Sequence, residues 1–185
     1  MLISGTGTNL QALIDAPDID VCCVVSSRAG AGGLERAARA GIAATATADE
    51  DETAAFLDAH GAELIVLAGY MRILSAAFVE RWSGRILNVH PALLPAFPGA
   101  HAVEDAVAHG VKVTGVTVHL VDAEHVSADT GPIVMQEALA VSYDDTAAEV
   151  TERLHRIEHR LLPEAVRLYG AGKIHVDGRR VRVSG

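Results

Sequence analysis

The sequence predicts an α/β fold with a doubly wound, mostly parallel sheet and an antiparallel part near the carboxy-terminal end. Through the first 109 residues, short apolar segments alternate with segments whose apolar side chains recur at helical spacing. This pattern is typical of strands that alternate with helices in a parallel sheet. Later, two strand-like segments, 113–121 and 133–140, follow each other with no helical segment between them. Consecutive strands of this kind favour antiparallel pairing, because a parallel pair needs a long crossover connection.

The first five predicted strands are short and mostly apolar, and the third is weak. They comprise residues 1–3, 21–25, 42–46, 63–68 and 85–88. The helical segments that follow the first four strands comprise residues 10–14, 32–40, 53–60 and 76–82. Ser75 is expected to cap the last of these helices, because its side-chain oxygen can accept from a free N–H of the first turn.

The second half of the chain contains a further helix, a long helix and a hairpin. Residues 103–109 are predicted to be helical and lead into the two consecutive strands. Thr146 is expected to cap a long helix that ends near residue 169. Residues 173–183 read as a hairpin, because the Asp-Gly pair at 177–178 suits a two-residue turn.

Composition favours one globular domain over residues 1–185. Half of the residues are apolar and only 4% are aromatic, so the core is expected to consist mainly of Ala, Val, Leu and Ile. The net charge of −9 argues against non-specific nucleic-acid binding. No apolar run approaches the roughly 20 residues that span a membrane. The only cysteines, Cys22 and Cys23, are adjacent in an apolar segment and are expected to be buried strand residues. This usage favours a reducing compartment, and we expect a cytoplasmic protein.

Asn88 and His90 are the residues most suggestive of chemistry. If the strand that begins near residue 85 continues through them, both side chains lie on one face, and Pro91 ends the pairing. Ligands bind at such strand ends in open α/β sheets. An amide and a protonated imidazole are both hydrogen-bond donors, so the pair suits an oxyanion that develops during acyl transfer. A strand-capping Asn beside a packed His is the structural alternative.

The loop after the first strand suits an anion. Gly5 and Gly7 would let backbone N–H groups approach a ligand, and the start of the next helix adds partial positive charge. The loop lacks the lysine of a nucleotide P-loop and a third glycine in dinucleotide-binding spacing. A plain strand-to-helix turn that Thr8 or Asn9 caps is the alternative.

Five segments together resemble the folate-dependent phosphoribosylglycinamide formyltransferase family over nearly the whole chain. They are Ile-Ser-Gly-Thr-Gly-Thr-Asn-Leu-Gln at 3–11, Leu-Ala-Gly-Tyr-Met-Arg-Ile-Leu at 67–74, Leu-Asn-Val-His-Pro-Ala-Leu-Leu-Pro-Ala-Phe-Pro-Gly at 87–99, Thr-Gly-Val-Thr-Val-His at 114–119 and Asp-Thr-Gly-Pro at 129–132. The third segment is shared by enzymes that use 10-formyltetrahydrofolate. The first resembles the subgroup that grips a sugar phosphate. The resemblance implies a Rossmann-like formyltransferase fold.

The resemblance also implies a catalytic trio of Asn88, His90 and Asp129. The substrate amine would attack the formyl carbon, and Asn88 with protonated His90 would hold the tetrahedral oxyanion. Asp129 would keep His90 charged, because a nearby opposite charge favours the ionised ring. It could also help to pass the amine's proton towards the folate nitrogen, through water.

The resemblance assigns the remaining site residues to two ligands. Those expected to bind the sugar-phosphate substrate are Gly5, Thr6, Gly7, Thr8, Asn9, Pro91 and Glu158. Those expected to bind the folate are Met71, Arg72, Ile73, Leu74, Ile86 and Asn88, with Ile86 as an apolar wall. His101 and His119 are expected to support the site. The reaction needs no metal, and the nine histidines show no zinc spacing backed by cysteines.

The implied function is formyl transfer from 10-formyltetrahydrofolate to the amine of N1-(5-phosphoribosyl)glycinamide in purine synthesis. Residues 1–85 would form the phosphate-binding half, and residues 86–185 the catalytic and folate-binding half. Small-molecule partners are expected, without nucleic acid or membrane, and a homodimer is possible. Two alternatives stay open: hydrolysis of formyltetrahydrofolate, and a non-catalytic module that only binds a sugar phosphate.

The chain departs from the family pattern at three places. Few residues precede Leu2, so the first strand is expected to be short. The acidic segment 47–53 lacks an arginine that the family often uses to touch folate, so either folate binding is weaker or Arg72 compensates. The stretch between His119 and Asp129 is longer than usual through residues 124–127. If it displaced Asp129, the fallback carboxylates would be those of residues 122 and 124.

Overall fold

The computed structural model describes residues 1–122 and 129–184. Its strands are β1 (Leu2–Ile3), β2 (Cys23–Ser26), β3 (Ala43–Ala46), β4 (Ile65–Ala68), β5 (Ile86–His90), β6 (Val113–Leu120), β7 (Ile133–Ala140), β8 (Ile174–Asp177) and β9 (Arg180–Val183). Its helices are α1 (Thr8–Ile14), α2 (Gly32–Arg39), α3 (Glu50–Ala59), α4 (Ala76–Arg81), α5 (Ala102–Ala108) and α6 (Ala147–Gly170). The extra residues at 124–127 and the fallback carboxylate of residue 124 lie outside the described residues.

Seven strands form one sheet in the order β3-β2-β1-β4-β5-β6-β7. The pairs among β1 to β5 are parallel, whereas β5–β6 and β6–β7 are antiparallel. The strands β8 and β9 form a separate antiparallel hairpin. This confirms the predicted mostly parallel α/β sheet with an antiparallel part near the carboxy-terminal end. The strand order changes direction between β1 and β4, and ligands bind outside the carboxyl ends of strands at such a point.

Alternate residues of the strands feed two apolar layers, one on each face of the sheet. One layer contains Ile3, Val24, Val66 and Leu87 and packs against apolar residues of α1, α2, α5 and α6. The other contains Leu2, Cys23, Val25, Ile65 and Ile86 and packs against α3 and α4. Cys23 is fully buried as predicted, but Cys22 precedes the strand and is only partly buried. None of the helices in the described part of the chain is long and apolar enough to cross a membrane.

Two helix starts differ from the sequence prediction by two or more residues, for local reasons. Helix α3 begins three residues earlier than predicted, because the Asp49 side chain accepts from the N–H groups of Asp51 and Glu52. Helix α1 begins at Thr8, and its N-cap is Gly7 in the left-handed conformation with no side-chain cap. Neither Thr8 nor Asn9 caps the helix. The alternative of a plain strand-to-helix turn capped by one of these residues is therefore wrong.

Candidate active site

A cavity of about 570 Å³ opens at the carboxyl ends of β1, β4 and β5. It runs from the loop after β1, past the end of β5, to the segment after β4. The lining residues are 5–9, 67–74, Val79, 88–91, 99–100, His119, Val121, Asp122, 129–131, His155 and Glu158. The cavity therefore takes residues from both halves of the chain.

Asp129 brings the predicted catalytic trio together. Strand β5 continues through Asn88 and ends at His90, directly before Pro91, as the sequence predicts. Asn88 Nδ2 donates to Asp129 Oδ1 at 3.0 Å, and His90 Nδ1 lies 3.3 Å from Asp129 Oδ2. His119 on the neighbouring strand joins the group, with Nε2 3.0 Å from Asn88 Nδ2 and 3.6 Å from Asp129 Oδ1. His90, His119 and Asp129 have almost fully buried side chains.

The backbone around Asp129 is tightly constrained. Asp129 has a φ of +68°, which is unusual for a residue with a side chain. Its Oδ2 accepts from the Gly99 N–H at 2.8 Å. Two residues on, Gly131 lies against β6 so closely that an added Cβ would come within 1.7 Å of the Leu120 carbonyl oxygen. These contacts hold the Asp129 carboxylate at the end of β5.

Asp129 is ionised at neutral pH. Burial is the largest influence and works against the charge. It is outweighed by the nearby His119 ring, the N–H of Gly99 and the charge of His90, so the pKa of Asp129 lies below its ordinary value.

Both ring nitrogens of His90 face hydrogen-bond acceptors. Its Nε2 lies 2.8 Å from the Phe97 carbonyl oxygen, and its Nδ1 faces the Asp129 carboxylate. Both neighbours accept hydrogen bonds and cannot donate, so both ring nitrogens are best satisfied when each carries a proton. Because Asp129 and Phe97 engage these donors, an oxyanion would have to draw on the ring's charge or displace one of them.

The loop after β1 is shaped by close backbone packing. Gly7 has a φ of +74°, and an added Cβ would lie 2.6 Å from Gly33 Cα on α2. The Gly33 N–H donates to the Gly5 carbonyl at 3.1 Å. Behind the loop, Arg36 donates to the Thr6 carbonyl at 2.9 Å. A glycine is therefore required at position 7, and the loop is braced against α2.

Glu158 reaches the same end of the cavity from α6. Its side chain is 5% exposed and accepts from Asn9 Nδ2 at 2.7 Å. This places a carboxylate beside the loop. His155 also lines the cavity, although the sequence reading did not single it out. Its position three residues before Glu158, on the same helix face, was the available signal.

The segment after β4 lines the other end of the cavity. Met71, Arg72, Ile73 and Leu74 all contribute, and the side chains of the first three are exposed. Glu50, from the acidic segment without an arginine, accepts from the Ser75 N–H at 2.8 Å and so ties α3 to this loop.

Two predicted site residues do not reach the cavity. Ile86 is fully buried in the apolar layer beneath α4, with Phe78 and Val79. It lies on the same strand face as Asn88 but two residues further from the strand end, where the helix covers it. His101 is an exposed residue at the N-cap of α5. The described residues contain no cluster of His, Cys, Asp and Glu that could hold a metal ion.

Comparisons with known proteins identify relatives with the same architecture. A family model described as formyl transferase matches residues 1–166. The phosphoribosylglycinamide formyltransferase of Mycobacterium tuberculosis is 44% identical, over 97% of this chain and 87% of that protein. A crystal structure of glycinamide ribonucleotide transformylase 1 from Symbiobacterium toebii is 44% identical with a TM-score of 0.93, covering 100% of this chain and 92% of that chain.

Some relatives are much longer than this chain. The trifunctional purine biosynthetic protein adenosine-3 of Chironomus tentans is 42% identical over 97% of this chain, but this chain spans only 14% of its length. The chain spans between 13% and 19% of the similar trifunctional proteins of other animals.

Proposed function

The chain belongs to the formyl transferase family, and from this we propose that it transfers a formyl group from 10-formyltetrahydrofolate to the amine of N1-(5-phosphoribosyl)glycinamide. The amine forms a bond to the formyl carbon, and the carbonyl oxygen becomes an oxyanion. The bond from that carbon to the folate nitrogen then breaks. The nitrogen takes up a proton, and the amine loses one. The products are the formylated ribonucleotide and tetrahydrofolate, a step of purine synthesis.

The observation that carries this proposal is the meeting of Asn88, His90 and Asp129 between two distinct ends of one cavity. Asn88 and charged His90 stabilise the oxyanion, which is worth about 3–4 kcal/mol for one such donor. Asp129 favours the charge on His90. It also orients the Asn88 amide through the hydrogen bond between them.

The two ends of the cavity suit the two substrates. We assign the phosphate to the loop of Gly5, Thr6, Gly7, Thr8 and Asn9, and the ribose and glycinamide to the region between Glu158 and Pro91. The segment from Met71 to Leu74 would hold the folate. Arg72 would supply a positively charged side chain in this part of the cavity lining. We further propose that the protein is cytoplasmic and that its ligands are small molecules. The assembly we propose is a homodimer.

The test is the rate of tetrahydrofolate formation with three acceptors. We expect rapid formation with N1-(5-phosphoribosyl)glycinamide, and little with glycinamide, which lacks the sugar phosphate, or with water alone. An equal rate without the ribonucleotide would identify a formyltetrahydrofolate hydrolase. Binding of the ribonucleotide without any tetrahydrofolate formation would identify a non-catalytic sugar-phosphate module.

Gly7→Ala should weaken ribonucleotide binding at least about tenfold, because the positive φ and the contact with Gly33 force the backbone to move. The dissociation constant for 10-formyltetrahydrofolate, measured by calorimetry without ribonucleotide, should change less than about twofold. Gly30→Ala is the control and should leave both dissociation constants unchanged, because an added Cβ there has no described atom within 4 Å and Gly30 does not line the cavity. Equal loss of both ligands in Gly7→Ala would mean general misfolding and would contradict the assignment of the loop.

A further inference from the structure

A buried serine connects the two ends of the cavity. Ser4 directly follows β1 and is 4% exposed. Its Oγ accepts from the Met71 N–H at 2.9 Å and lies 2.6 Å from the Oγ of Ser27, directly after β2. Because β1 lies between β2 and β4 in the sheet, this hydroxyl spans the carboxyl ends of three neighbouring strands.

The two segments that Ser4 joins are held in place by different kinds of contact. On one side, Ser4 is followed directly by Gly5, whose carbonyl oxygen accepts from the Gly33 N–H. Gly7 in the same loop packs so closely against Gly33 that a side chain would not fit. On the other side, residues 71–73 have exposed side chains. This segment is therefore held in place more by backbone hydrogen bonds than by packing of its side chains. The hydrogen bond between Ser4 and Met71 therefore joins a segment that is held by close backbone contacts to one whose side chains are exposed.

We propose that Ser4 is a positioning residue that couples the two substrate subsites. A ligand on the loop after β1 fixes the Ser4 hydroxyl, which in turn holds the Met71 backbone in its ligand-binding conformation. The inference rests on the proposed function, because it takes the two ends of the cavity as the sites of a sugar phosphate and a folate. Since coupling between two sites is reciprocal, each ligand should tighten the other by the same factor.

The coupling can be measured with ligands that do not react. Ribose 5-phosphate carries the sugar phosphate without the amine, so 10-formyltetrahydrofolate cannot transfer its formyl group to an acceptor. By calorimetry on the full chain, saturating ribose 5-phosphate should tighten 10-formyltetrahydrofolate binding about fivefold, the lower end of typical coupling. In Ser4→Ala this factor should fall to about one, because no hydroxyl remains for Met71. Ser27→Ala, which keeps the Met71–Ser4 hydrogen bond, should retain the factor.

Hydrogen exchange of the Met71 amide provides a second measurement on the wild-type chain, which decides the matter if Ser4→Ala does not fold. Ribose 5-phosphate should slow this exchange. The inference is overturned if both ligands bind without coupling, if Ser4→Ala keeps the wild-type factor, if Ser27→Ala loses it equally, or if Met71 exchange does not change. Failure of either ligand to bind the wild type would overturn the proposed function together with this inference, whereas uncoupled binding leaves the proposed function intact.

Discussion

Asp129→Asn should lower kcat by about 100-fold or more and move the remaining activity to lower pH. The substitution keeps the shape of the side chain but removes the charge that faces His90 at 3.3 Å. Without the carboxylate, a positive charge on the His90 ring loses the nearby opposite charge that stabilises it. In addition, an amide nitrogen in place of one oxygen would face the donors of Asn88 or Gly99. The pH profile of kcat for both proteins measures both effects.

The same carboxylate makes the stability of the folded protein depend on pH. The pKa of Asp129 is lowered in the folded protein, so its contribution to stability is present above the unfolded pKa and is lost as the pH falls through the folded value. Around neutral pH the wild-type carboxylate stays ionised, and the shift in the variant therefore reports on His90. Asp122→Asn is the comparison, because Asp122 also lines the cavity. A wild-type rate and profile in Asp129→Asn, with activity lost in Asp122→Asn, would reverse the assignment.

His90→Ala and Asn88→Ala should each lower kcat by about 100-fold, with a change of only a few-fold in KM for the ribonucleotide. The reason is that, in the proposed mechanism, both side chains act on the oxyanion, which exists only after the amine has attacked. Because both side chains contact Asp129, the double variant should lose less than the product of the single losses. Steady-state kinetics of the three variants measure these effects.

His90 is buried, so the stability of its variant has to be separated from its chemistry. Thermal unfolding of each variant identifies a temperature at which all are folded, and kinetics are compared there. His101→Ala is a matched histidine control, because His101 is exposed and does not line the cavity. It should keep the wild-type kcat. An unchanged kcat in His90→Ala or Asn88→Ala would remove that residue from the mechanism.

Local patterns were sufficient to predict most of the fold. The alternation of apolar segments fixed the order of strands and helices, and Pro91 marked the end of β5 as expected. The main errors concern helix starts, where one side chain decides: Asp49 extends α3 by three residues, and a left-handed Gly7 begins α1. Such caps depend on backbone angles that periodicity does not encode.

Only part of the site could be predicted from local sequence patterns, because its residues come from segments that are distant in the chain. The spacing of Asn88 and His90 placed both at one strand end, but only tertiary structure brings Asp129 and His119 against them. Ile86 shares the strand face of Asn88, and the sequence could not show that α4 covers it. The structure does not place His101, which the resemblance alone suggested, in the cavity lining.

In the proposed reaction, the formyl carbon passes directly from the folate to the ribonucleotide amine. The most direct measurement is carbon NMR with 10-formyltetrahydrofolate that carries ¹³C in the formyl group, incubated with the protein and N1-(5-phosphoribosyl)glycinamide. We expect the label in the formyl amide of the ribonucleotide, in equal amount to the tetrahydrofolate formed, and no label in formate. Label that accumulates in formate, or that stays on the folate while both ligands are bound, would contradict the account.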